Sequence, residues 1–279
     1  MAAVSGQIVT LELRRWIVEQ TQSGLPRPSL LEAMVASGWQ RATAAGALVD
    51  VLGAEPPPPA VQGMPQPALA DAANTVPAGD REVRIVSALK DPQIVVFANL
   101  LDEAECDELV ALAKARLTRS ETVELDTGGS EVNEARTSEG MFFHRGETAL
   151  VARIEARIAA LLQWPVENGE GLQILRYRTG AEYRPHYDYF DPAQAGSATI
   201  LKRGGQRLAS LVMYLNTPTR GGATTFPDIG LDVMPMRGHA VFFSYPRPHP
   251  DTRTLHGGAP VQEGEKWVAT KWLRQGRFD

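Results

Sequence analysis

The sequence predicts a mainly β protein with flanking helices, in which a jelly roll or barrel follows a small helical bundle. From about residue 172 onward, the chain consists of short segments rich in Val, Tyr, Phe and Thr, broken by Gly and Pro. This is the pattern of β-strands between turns. Two amphipathic helical segments precede that region, and a proline-rich stretch separates both from a short helical module. Strands supported by flanking helices favour a jelly roll or a barrel.

The first 53 residues are predicted to form three short helices. Thr10 is placed to cap the first helix, residues 29–32 have the capping-box pattern that opens a second, and apolar spacing over residues 45–52 marks a third. With Trp39 beside the turn at Gly38, the module resembles a ubiquitin-associated-type bundle. Two interpretations stay open: a self-contained helical appendage, or a module that binds a protein partner.

A proline-rich stretch over residues 54–80 separates this module from the rest of the chain. It contains four consecutive prolines at positions 56–59 and few large apolar residues, a composition that favours a stiff, extended spacer. We therefore predict three parts: a helical module over residues 1–53, a Pro/Ala-rich linker over residues 54–80, and one larger domain over residues 81–279.

Within the larger domain, two helices are predicted before a series of strands. Asp102 is placed to cap a helix with Cys106 and Leu109 on one face, and apolar spacing predicts a second helix over residues 150–162. The predicted strands lie in the segments GLQILRYRTG, RLASLVMYLN, HAVFFSY and KWVATKWLRQ.

Composition and charge restrict the class of protein further. The 33 acidic and 28 basic residues give a formal net charge of −5, which argues against general binding to nucleic acid or anionic membranes. The single cysteine, Cys106, cannot form an internal disulfide and suits a reducing compartment. No secretory leader and no apolar run of about 18 residues is evident. We therefore expect a soluble, cytoplasmic protein.

Two histidines and one aspartate have the spacing of a metal site. His186 and Asp188 are two residues apart in a segment predicted to be extended, so their side chains project to the same side. His256 lies 68 positions beyond Asp188. Two imidazoles and a carboxylate form the facial arrangement of non-haem Fe(II) oxygenases. Such a set leaves three coordination positions open, whereas a structural zinc site closes its shell, usually with thiolates.

Lys266 lies ten residues after His256, at the start of a predicted strand. If Lys266 faces inward, alternation along the strand places Val268, Thr270 and Trp272 on the same face. A lysine inside an apolar barrel is unfavourable unless it meets an anion. For Lys266 considered alone, a strand-end lysine that reaches into solvent is the alternative.

Together these residues resemble the 2-oxoglutarate-dependent Fe(II) dioxygenases, and within them the bacterial type of the prolyl 4-hydroxylase group. The resemblance rests on the order His-x-Asp, distal His and then Lys ten residues later, and it covers roughly residues 83–279. Further matching segments are residues 136–138, 175–177, 206–216 and 221–227. The resemblance implies a double-stranded β-helix (jelly roll) as the catalytic domain over residues 81–279.

The resemblance also implies roles for individual residues and small molecules. His186, Asp188 and His256 are expected to bind Fe(2+); Lys266, Tyr177 and Thr224 to bind 2-oxoglutarate; and Tyr183, Arg207 and Trp272 to line the substrate side. Dioxygen is the second co-substrate, and L-ascorbate is a candidate reductant. The sequence departs from the group at Ala223, where the related motif is Gly-Gly-Glu-Thr. Residues 196–205 are interpreted as a flexible lid.

The predicted activity is hydroxylation of a prolyl or proline-like substrate, with release of succinate and carbon dioxide. One alternative is hydroxylation of another amino acid, free or within a peptide. A second alternative is a catalytically idle binding protein that is recruited through its helical module. The complete set of His186, Asp188, His256 and Lys266 argues against an idle barrel, and the retained Asp188 argues against halogenation.

Overall fold

The computed structural model describes residues 7, 9–25, 27–53, 63–69, 74–119, 122–123, 130–131 and 137–279. The chain divides into two compact units, Met1–Pro57 and Pro58–Asp279. Within these described residues, the smaller unit has one hydrophobic core and the larger unit has two.

Three helices form the N-terminal unit: α1 (Leu11–Gln22), α2 (Arg27–Ala36) and α3 (Arg41–Leu52). They enclose the buried residues Leu13, Ile17, Leu30, Met34, Ala44, Ala47 and Leu48. The hydroxyl of Thr10 accepts a hydrogen bond from the backbone N–H of Leu13 at 3.2 Å, so Thr10 caps α1 as predicted.

The predicted start of the second helix is wrong. α2 begins at Arg27, two residues before Ser29. A proline is accepted in the first helical turn, because the N–H that it lacks would have no partner within the helix. Pro28 therefore does not delay the start of α2, and the capping-box pattern at residues 29–32 lies inside the helix.

Seventeen strands are present in the described part of the larger unit. They are β1 (Thr75–Pro77), β2 (Glu82–Lys90), β3 (Gln93–Ala98), β4 (Thr118–Arg119), β5 (Thr122–Val123), β6 (Ser130–Glu131), β7 (Glu139–Phe143), β8 (Leu172–Tyr177), β9 (Tyr183–His186), β10 (Arg207–Tyr214), β11 (Arg220–Gly221), β12 (Thr224–Phe226), β13 (Leu231–Val233), β14 (Ala240–Ser244), β15 (His256–Gly258), β16 (Val261–Glu263) and β17 (Lys266–Arg274). The helices are α4 (Glu103–Lys114), α5 (Ala149–Leu162) and α6 (Ser197–Leu201), with short 3-10 helices at Val166–Asn168, Pro227–Ile229 and Pro250–Thr252.

Two antiparallel sheets make the framework of this unit. A large sheet has the order β1-β2-β3-β14-β10-β17-β8-β7-β4, and a small sheet has the order β13-β12-β15-β9. Two further strand pairs, β11-β16 and β5-β6, stand apart from them. Two facing sheets with antiparallel pairing are the arrangement expected of a jelly roll, so the predicted fold class is confirmed.

The two faces of the large sheet belong to two different cores. On one face, β-strand residues such as Phe242 pack with Leu109 of α4 and Ile154 of α5. On the other face, Val268 packs with Phe226 of the small sheet. Because side chains alternate along a strand, each central strand contributes to both cores, and the site lies on the face toward the small sheet.

Most predicted elements of the larger unit are confirmed. The carboxylate of Asp102 accepts the Glu105 N–H at 2.9 Å, and the Glu105 carboxylate accepts the Asp102 N–H at 3.1 Å, which is a complete capping box at the start of α4. The predicted helix over residues 150–162 is α5. The four predicted strand segments are β8, β10, β14 and β17.

The antiparallel pair β2–β3 was not predicted. In β2 only Val83 is fully buried, and most other side chains of the strand are exposed or half-buried. An edge-side strand of this kind has no clear period-two alternation of apolar residues, which is the signal on which strand prediction depends.

The prediction of a spacer over the whole of residues 54–80 is wrong at its C-terminal end. Strand β1 pairs with β2, with Val76 opposite Val83, and Val76 and Ala78 are buried in the core of the larger unit. Further upstream, the backbone N–H of Gln66 donates to the carbonyl of Leu162 at 2.9 Å. Small residues and prolines therefore pack against this unit although the stretch has few large apolar side chains. Residues 54–62 lie outside the described part.

None of the helices in the described residues is both long and apolar enough to cross a membrane.

Candidate active site

Strand pairing in the small sheet brings the two predicted metal-binding histidines together. His186 ends β9, His256 begins β15, and the two residues are direct partners in the antiparallel register. Asp188 follows two residues after His186. The His186 Nε2 atom lies 3.6 Å from Asp188 Oδ1, and the His256 Nε2 atom lies 3.5 Å from Asp188 Oδ2. The three ligand atoms lie within 4.8 Å of one another.

The glycine after His256 allows this close approach of β15 to β9. A Cβ atom added at Gly257 would lie 2.9 Å from the carbonyl oxygen of Tyr183 and 3.2 Å from the backbone nitrogen of Pro185. Such contacts with backbone atoms cannot be relieved by a side-chain rotation. Gly257 therefore contributes to the site by permitting the register that pairs the two histidines.

Each histidine is oriented by a backbone carbonyl two residues earlier. His186 Nδ1 lies 2.9 Å from the carbonyl oxygen of Arg184, and His256 Nδ1 lies 3.0 Å from that of Thr254. Because a carbonyl only accepts, Nδ1 carries the hydrogen and the lone pair is on Nε2, the nitrogen that faces Asp188. Burial lowers the pKa of His256 to about 4, so this imidazole is neutral at pH 7, as a metal ligand must be.

The third ligand is held by a pair of hydroxyls that the sequence analysis missed. Ser210 Oγ donates to Asp188 Oδ2 at 2.5 Å, and Tyr245 Oη lies 3.0 Å from Ser210 Oγ. Although burial raises it, the neighbouring His256 and His186 hold the pKa of Asp188 far below its ordinary value. The carboxylate is therefore ionised and available to a cation.

Lys266 lies inside the same cavity as the three ligands, and the predicted alternation of β17 is confirmed. The four residues Lys266, Val268, Thr270 and Trp272 all line the cavity. Burial lowers the pKa of Lys266 to about 7. Among the described residues, no carboxylate lies within ion-pair distance of its ammonium group, which instead lies 5.6 Å from the ring centre of Tyr177 and 5.7 Å from that of Tyr214.

Thr224 takes its predicted place despite the change at Ala223. It begins β12, it is buried, and it lines the cavity together with Lys266 and Tyr177. The Ala223 carbonyl accepts the backbone N–H of Ala259 at 2.9 Å, so backbone bonding maintains the loop. At Gly222 an added Cβ atom would lie 3.2 Å from Lys266 Cδ, which shows how closely this loop contacts the lysine side chain.

Two of the three predicted substrate-side residues line the cavity. Tyr183 stacks on the His186 ring with 3.7 Å between ring centres, and the Trp272 Nε1–H is buried with no hydrogen-bond partner in the described residues. Arg207 is placed differently, because its Nε and Nη2 atoms donate to the Glu170 carboxylate at 2.6 and 2.9 Å. Its guanidinium lies 4.0 Å from the Trp272 ring centre, so Arg207 stands beside the cavity and contacts a residue that lines it.

The segment interpreted as a lid has a fixed base. It contains α6, and the side-chain amide of Gln206 bonds both backbone groups of Phe190: Oε1 accepts the N–H at 2.8 Å, and Nε2 donates to the carbonyl at 2.7 Å. These two bonds hold together the two ends of the loop of residues 191–205, which begins three residues after Asp188. Mobility of residues 196–205 stays a prediction. Arg136, which belongs to one of the matching segments, lies outside the described residues.

The donor set fits one divalent cation and a dicarboxylate beside it. Two imidazoles and one ionised carboxylate converge from one side, which is the facial set of an Fe(II) oxygenase site. On the cavity wall, an ammonium and two hydroxyl-bearing residues, Tyr177 and Thr224, supply the donors that a carboxylate needs. The fold and the site together define a non-haem Fe(II), 2-oxo-acid-dependent oxygenase.

Comparisons with known proteins give the family. The model of the 2OG-Fe(II) oxygenase superfamily matches residues 172–274, a range that contains every predicted site residue. Prolyl 4-hydroxylase 5 of Arabidopsis thaliana is 40% identical over 222 residues, covering 72% of this chain and 74% of that protein. Prolyl 4-hydroxylase 1 of the same organism is 41% identical over 201 residues, covering 66% of this chain and 69% of that protein. This chain belongs to the prolyl 4-hydroxylase family.

A solved structure agrees with this assignment. The 2OG complex of a viral collagen prolyl hydroxylase from Paramecium Bursaria Chlorella virus-1 superposes with a TM-score of 0.50 and 29% sequence identity. The match covers 65% of this chain and 95% of that chain.

Proposed function

We propose that this protein hydroxylates a prolyl residue or a proline-like compound, using Fe(II), 2-oxoglutarate and dioxygen. The observation that carries the proposal is a single cavity that is lined by the metal-binding triad, by a buried lysine with the hydroxyl-bearing residues Tyr177 and Thr224, and by the aromatic rings of Tyr183 and Trp272. The relatives named above are prolyl hydroxylases, and these two rings suit the apolar pyrrolidine of their named substrate class.

His186, Asp188 and His256 would hold the iron. When bound, the Fe(II) ion supplies the redox chemistry by which 2-oxoglutarate and dioxygen yield succinate and carbon dioxide while one substrate C–H becomes C–OH. The chain itself fixes geometry and charge: the Arg184 and Thr254 carbonyls orient the two imidazoles. The three ligands occupy one side and leave the other for small molecules.

Lys266 sets the position of the co-substrate within the cavity. Its ammonium pairs with the carboxylate of 2-oxoglutarate farthest from the metal, and the Tyr177 and Thr224 hydroxyls add hydrogen bonds. An ion pair in a buried, mostly apolar cavity is favourable only when such additional donors satisfy the remaining lone pairs. Because the bound co-substrate then fills the part of the cavity beside Lys266, solvent is excluded from the metal side of the cavity.

The substrate would contact Tyr183 of the small sheet and Trp272 of the large sheet. The Arg207 guanidinium lies over the Trp272 ring and is bonded to Glu170. The Trp272 Nε1–H, buried and without a partner among the described residues, is available to a carbonyl of the substrate. The stacked ring of Tyr183 restricts the space next to His186. These contacts orient a ring carbon toward the metal.

Three finer assignments belong to the same proposal. L-Ascorbate would act as a reductant that restores Fe(II), and its addition should lengthen the linear phase of turnover. The protein would act in the cytoplasm. The N-terminal helical unit would bind a protein partner. The purified unit Met1–Pro57, used as bait in an affinity purification, would identify that partner.

The test is anaerobic loading with Fe(II) and 2-oxoglutarate, then admission of dioxygen and a screen of succinate release over free proline, prolyl peptides, other free amino acids and peptides without proline. Succinate release and a mass gain of one oxygen on prolyl compounds would support the proposal. Succinate release coupled only to compounds without a prolyl group would contradict it. The His256→Ala variant should be inactive in every arm, which separates site chemistry from contaminating activity.

A further inference from the structure

Six side chains form a continuous stack that leads from the loop of residues 191–205 to the cavity. Guanidinium groups and aromatic rings alternate along this cation–aromatic stack, in the order Arg203, Phe278, Arg274, Phe190, Arg207 and Trp272. The successive distances from guanidinium carbon to ring centre are 4.0, 5.0, 4.8, 4.8 and 4.0 Å, so each contact is within the range of cation–π attraction. Of the six residues, only Trp272 lines the cavity. The stack therefore connects Arg203, an exposed residue of the loop, with a residue of the substrate side.

The aromatic rings contribute to the charge balance of this stack. Arg207 donates to the Glu170 carboxylate at 2.6 and 2.9 Å, and Arg274 Nε donates to the same carboxylate at 2.6 Å. In the described part of the chain, no second carboxylate lies within ion-pair distance of either guanidinium. Two cations that are largely withdrawn from solvent thus share one anion, and the negative face of an aromatic ring is a further partner for the excess positive charge. The Phe190 ring centre lies 4.8 Å from both guanidinium carbons, so this ring joins the two cations.

Arg274 contacts the loop of residues 191–205 at both of its ends. Its Nη1 atom donates to the carbonyl of Gly205, the last residue of the loop, at 2.7 Å. Its guanidinium lies against the ring of Phe190, the residue directly before the loop. A displacement of Arg274 would therefore move the loop and the Phe190 ring together.

Phe278 contacts both Arg274 and the loop, and its backbone is held independently of its ring. The Phe278 N–H donates to the Glu167 carbonyl at 2.9 Å, and the Phe278 carbonyl accepts from Arg145 Nη1 at 2.6 Å. The ring lies close to the loop, because a Cβ atom added at Gly204 would be 3.2 Å from Phe278 Cδ2. Removal of the ring therefore breaks the stack without releasing the backbone that carries the ring.

We propose that Phe278 is a positioning residue for the substrate side of the active site. Through the intervening members of the stack, it sets the orientation of the Trp272 indole together with the position of the loop. This inference rests on the proposed function, in which the substrate contacts Trp272. Because the stack contains no metal ligand and none of the residues assigned to 2-oxoglutarate, Phe278 acts on the substrate and not on the binding of iron or co-substrate.

Phe278→Leu removes the ring and keeps an apolar side chain. With Fe(II) and 2-oxoglutarate saturating, we expect the KM for a proline-containing peptide to rise about three- to tenfold, the range expected for loss of a cation–π contact. Less hydroxylated product should form per succinate released, because the peptide is less well oriented. The dissociation constants for Fe(II) and 2-oxoglutarate should stay within about twofold of the wild-type values. A purely structural role would instead lower the fraction of folded protein and leave the KM and the product ratio unchanged.

Two further variants separate the ring from the rest of the segment. Phe278→Tyr keeps an aromatic ring and should retain the wild-type KM. Arg277→Ala is the matched control, since Arg277 is exposed, lies outside the stack and bonds the Asp279 carboxylate; it should also retain the wild-type KM. An unchanged KM in Phe278→Leu, or an equal rise in Arg277→Ala, would overturn the inference.

A spectroscopic measurement follows the stack in the absence of substrate. The full chain is labelled with fluorotryptophan and loaded with Zn(II), which has no unpaired electrons that would broaden the signals. The fluorine NMR signal of Trp272 is the one that is lost in Trp272→Phe. We expect this signal to shift in Phe278→Leu, although three other side chains separate the two residues in the stack. The signal of Trp267, which packs in the core on the opposite face of β17, should not shift. An unshifted Trp272 signal would overturn the coupling.

Phe190→Leu interrupts the stack in its middle and tests whether Phe278 acts through it. In that background, the additional change Phe278→Leu should leave the KM within about twofold of the value for Phe190→Leu alone. Multiplicative effects of the two changes on the KM would overturn the inference. A wild-type protein that releases no succinate with any prolyl compound would contradict the proposed function instead, and the Trp272 signal would still decide whether Phe278 and Trp272 are coupled.

Discussion

At the scale of single residues, His256 offers the sharpest test of the metal site. Replacing it by Ala removes one of three ligands, and we expect Fe(II) affinity to fall by more than about a hundredfold, beyond what loss of an outer hydrogen-bond partner costs. Turnover should disappear with it. His144, which is exposed and outside the cavity, is the matched control: His144→Ala should keep both properties. Metal affinity retained in His256→Ala would contradict the ligand assignment.

Lys266 should control the affinity for the co-substrate far more than that for iron. In Lys266→Ala the carboxylate of 2-oxoglutarate meets a neutral wall, and removal of one partner from a buried ion pair costs about 3–5 kcal/mol. The KM for 2-oxoglutarate should therefore rise more than a hundredfold, with Fe(II) binding retained. The exposed Lys202 gives the control variant Lys202→Ala. An unchanged KM in Lys266→Ala would contradict the role.

The pH dependence of co-substrate binding also follows from Lys266. With a pKa lowered by burial to about 7, the lysine loses its charge above that pH in the unliganded protein, whereas bound 2-oxoglutarate favours the ammonium form. Binding then takes up a proton, so affinity should fall as pH rises above 7, by up to about tenfold per pH unit. Calorimetry between pH 6.5 and 8.5 measures this slope. Lys266→Met should flatten it; an equal slope in both proteins would refute the prediction.

The stability of the unliganded protein should have the opposite pH dependence. Between the folded-state pKa near 7 and the unfolded value of about 10.4, the unfolded chain binds more protons at Lys266 than the folded chain does. Lys266 therefore makes the free energy of unfolding rise with pH through this window. When the free energy of unfolding is measured at several pH values in the window, its rise with pH should be smaller in Lys266→Met than in the wild-type protein.

The sequence predicts the ligands and Lys266 because each falls in a motif with fixed spacing. Ser210 lies within the matching segment 206–216, but the match assigns it no partner, and Tyr245 and Glu170 lie in no matching segment. Ser210 bonds a partner 22 positions away and Glu170 one 37 positions away, so their contacts depend on strand order and register. Arg207 is the one predicted substrate-side residue that does not line the cavity. Its position beside the cavity is explained by Glu170, whose carboxylate accepts hydrogen bonds from the Arg207 guanidinium.

At the scale of elements, a buried ionic cluster joins α5, the start of α4 and the turn after β1. Arg157 donates to Asp80 at 2.8 and 2.7 Å, to Glu105 at 2.8 and 2.7 Å, and to the carbonyl of Leu100 at 2.7 Å. Its guanidinium, through a hydrogen bond, holds the pKa of Asp80 below its ordinary value. Sequence periodicity predicts the helices but not this cluster, because a charged residue within a predicted helix is assigned to the solvent-exposed face of that helix.

Arg157→Ala should lower the free energy of unfolding of the larger unit by about 3–5 kcal/mol, since it leaves the buried Glu105 without its main partner. Arg153 on the same helix is the matched control. Its side chain is 48% exposed and makes one 3.3 Å contact with Glu105, so Arg153→Ala should cost less than about 1 kcal/mol. Urea unfolding followed by tryptophan fluorescence measures both. Similar losses in the two variants would show that the cluster is not the source of stability.

At the scale of the whole molecule, all nine predicted site residues, and those that the structure adds, lie between residues 170 and 278, within the unit Pro58–Asp279. The helical unit has its own buried core. Separate cores favour independent folding. The division between the two units falls within the proline-rich stretch. Composition does not reveal that Val76 and Ala78, near the end of that stretch, pack in the core of the larger unit.

Two truncated chains, one beginning at Pro58 and one at Arg81, should therefore differ in stability and in turnover. The boundary near residue 80 that the sequence predicts gives no reason to expect this difference. A chain that begins at Pro58 retains β1, the buried Val76 and Asp80, the partner of Arg157, so it should fold and release succinate from a small substrate at a rate within about twofold of the full chain. A chain that begins at Arg81 lacks them and should unfold several kcal/mol more easily, because loss of one partner from a buried ion pair alone costs about 3–5 kcal/mol. Thermal unfolding and succinate release measure the two. If the Pro58 chain binds iron yet loses most of its turnover, the helical unit is required for catalysis and the division into independent units is wrong.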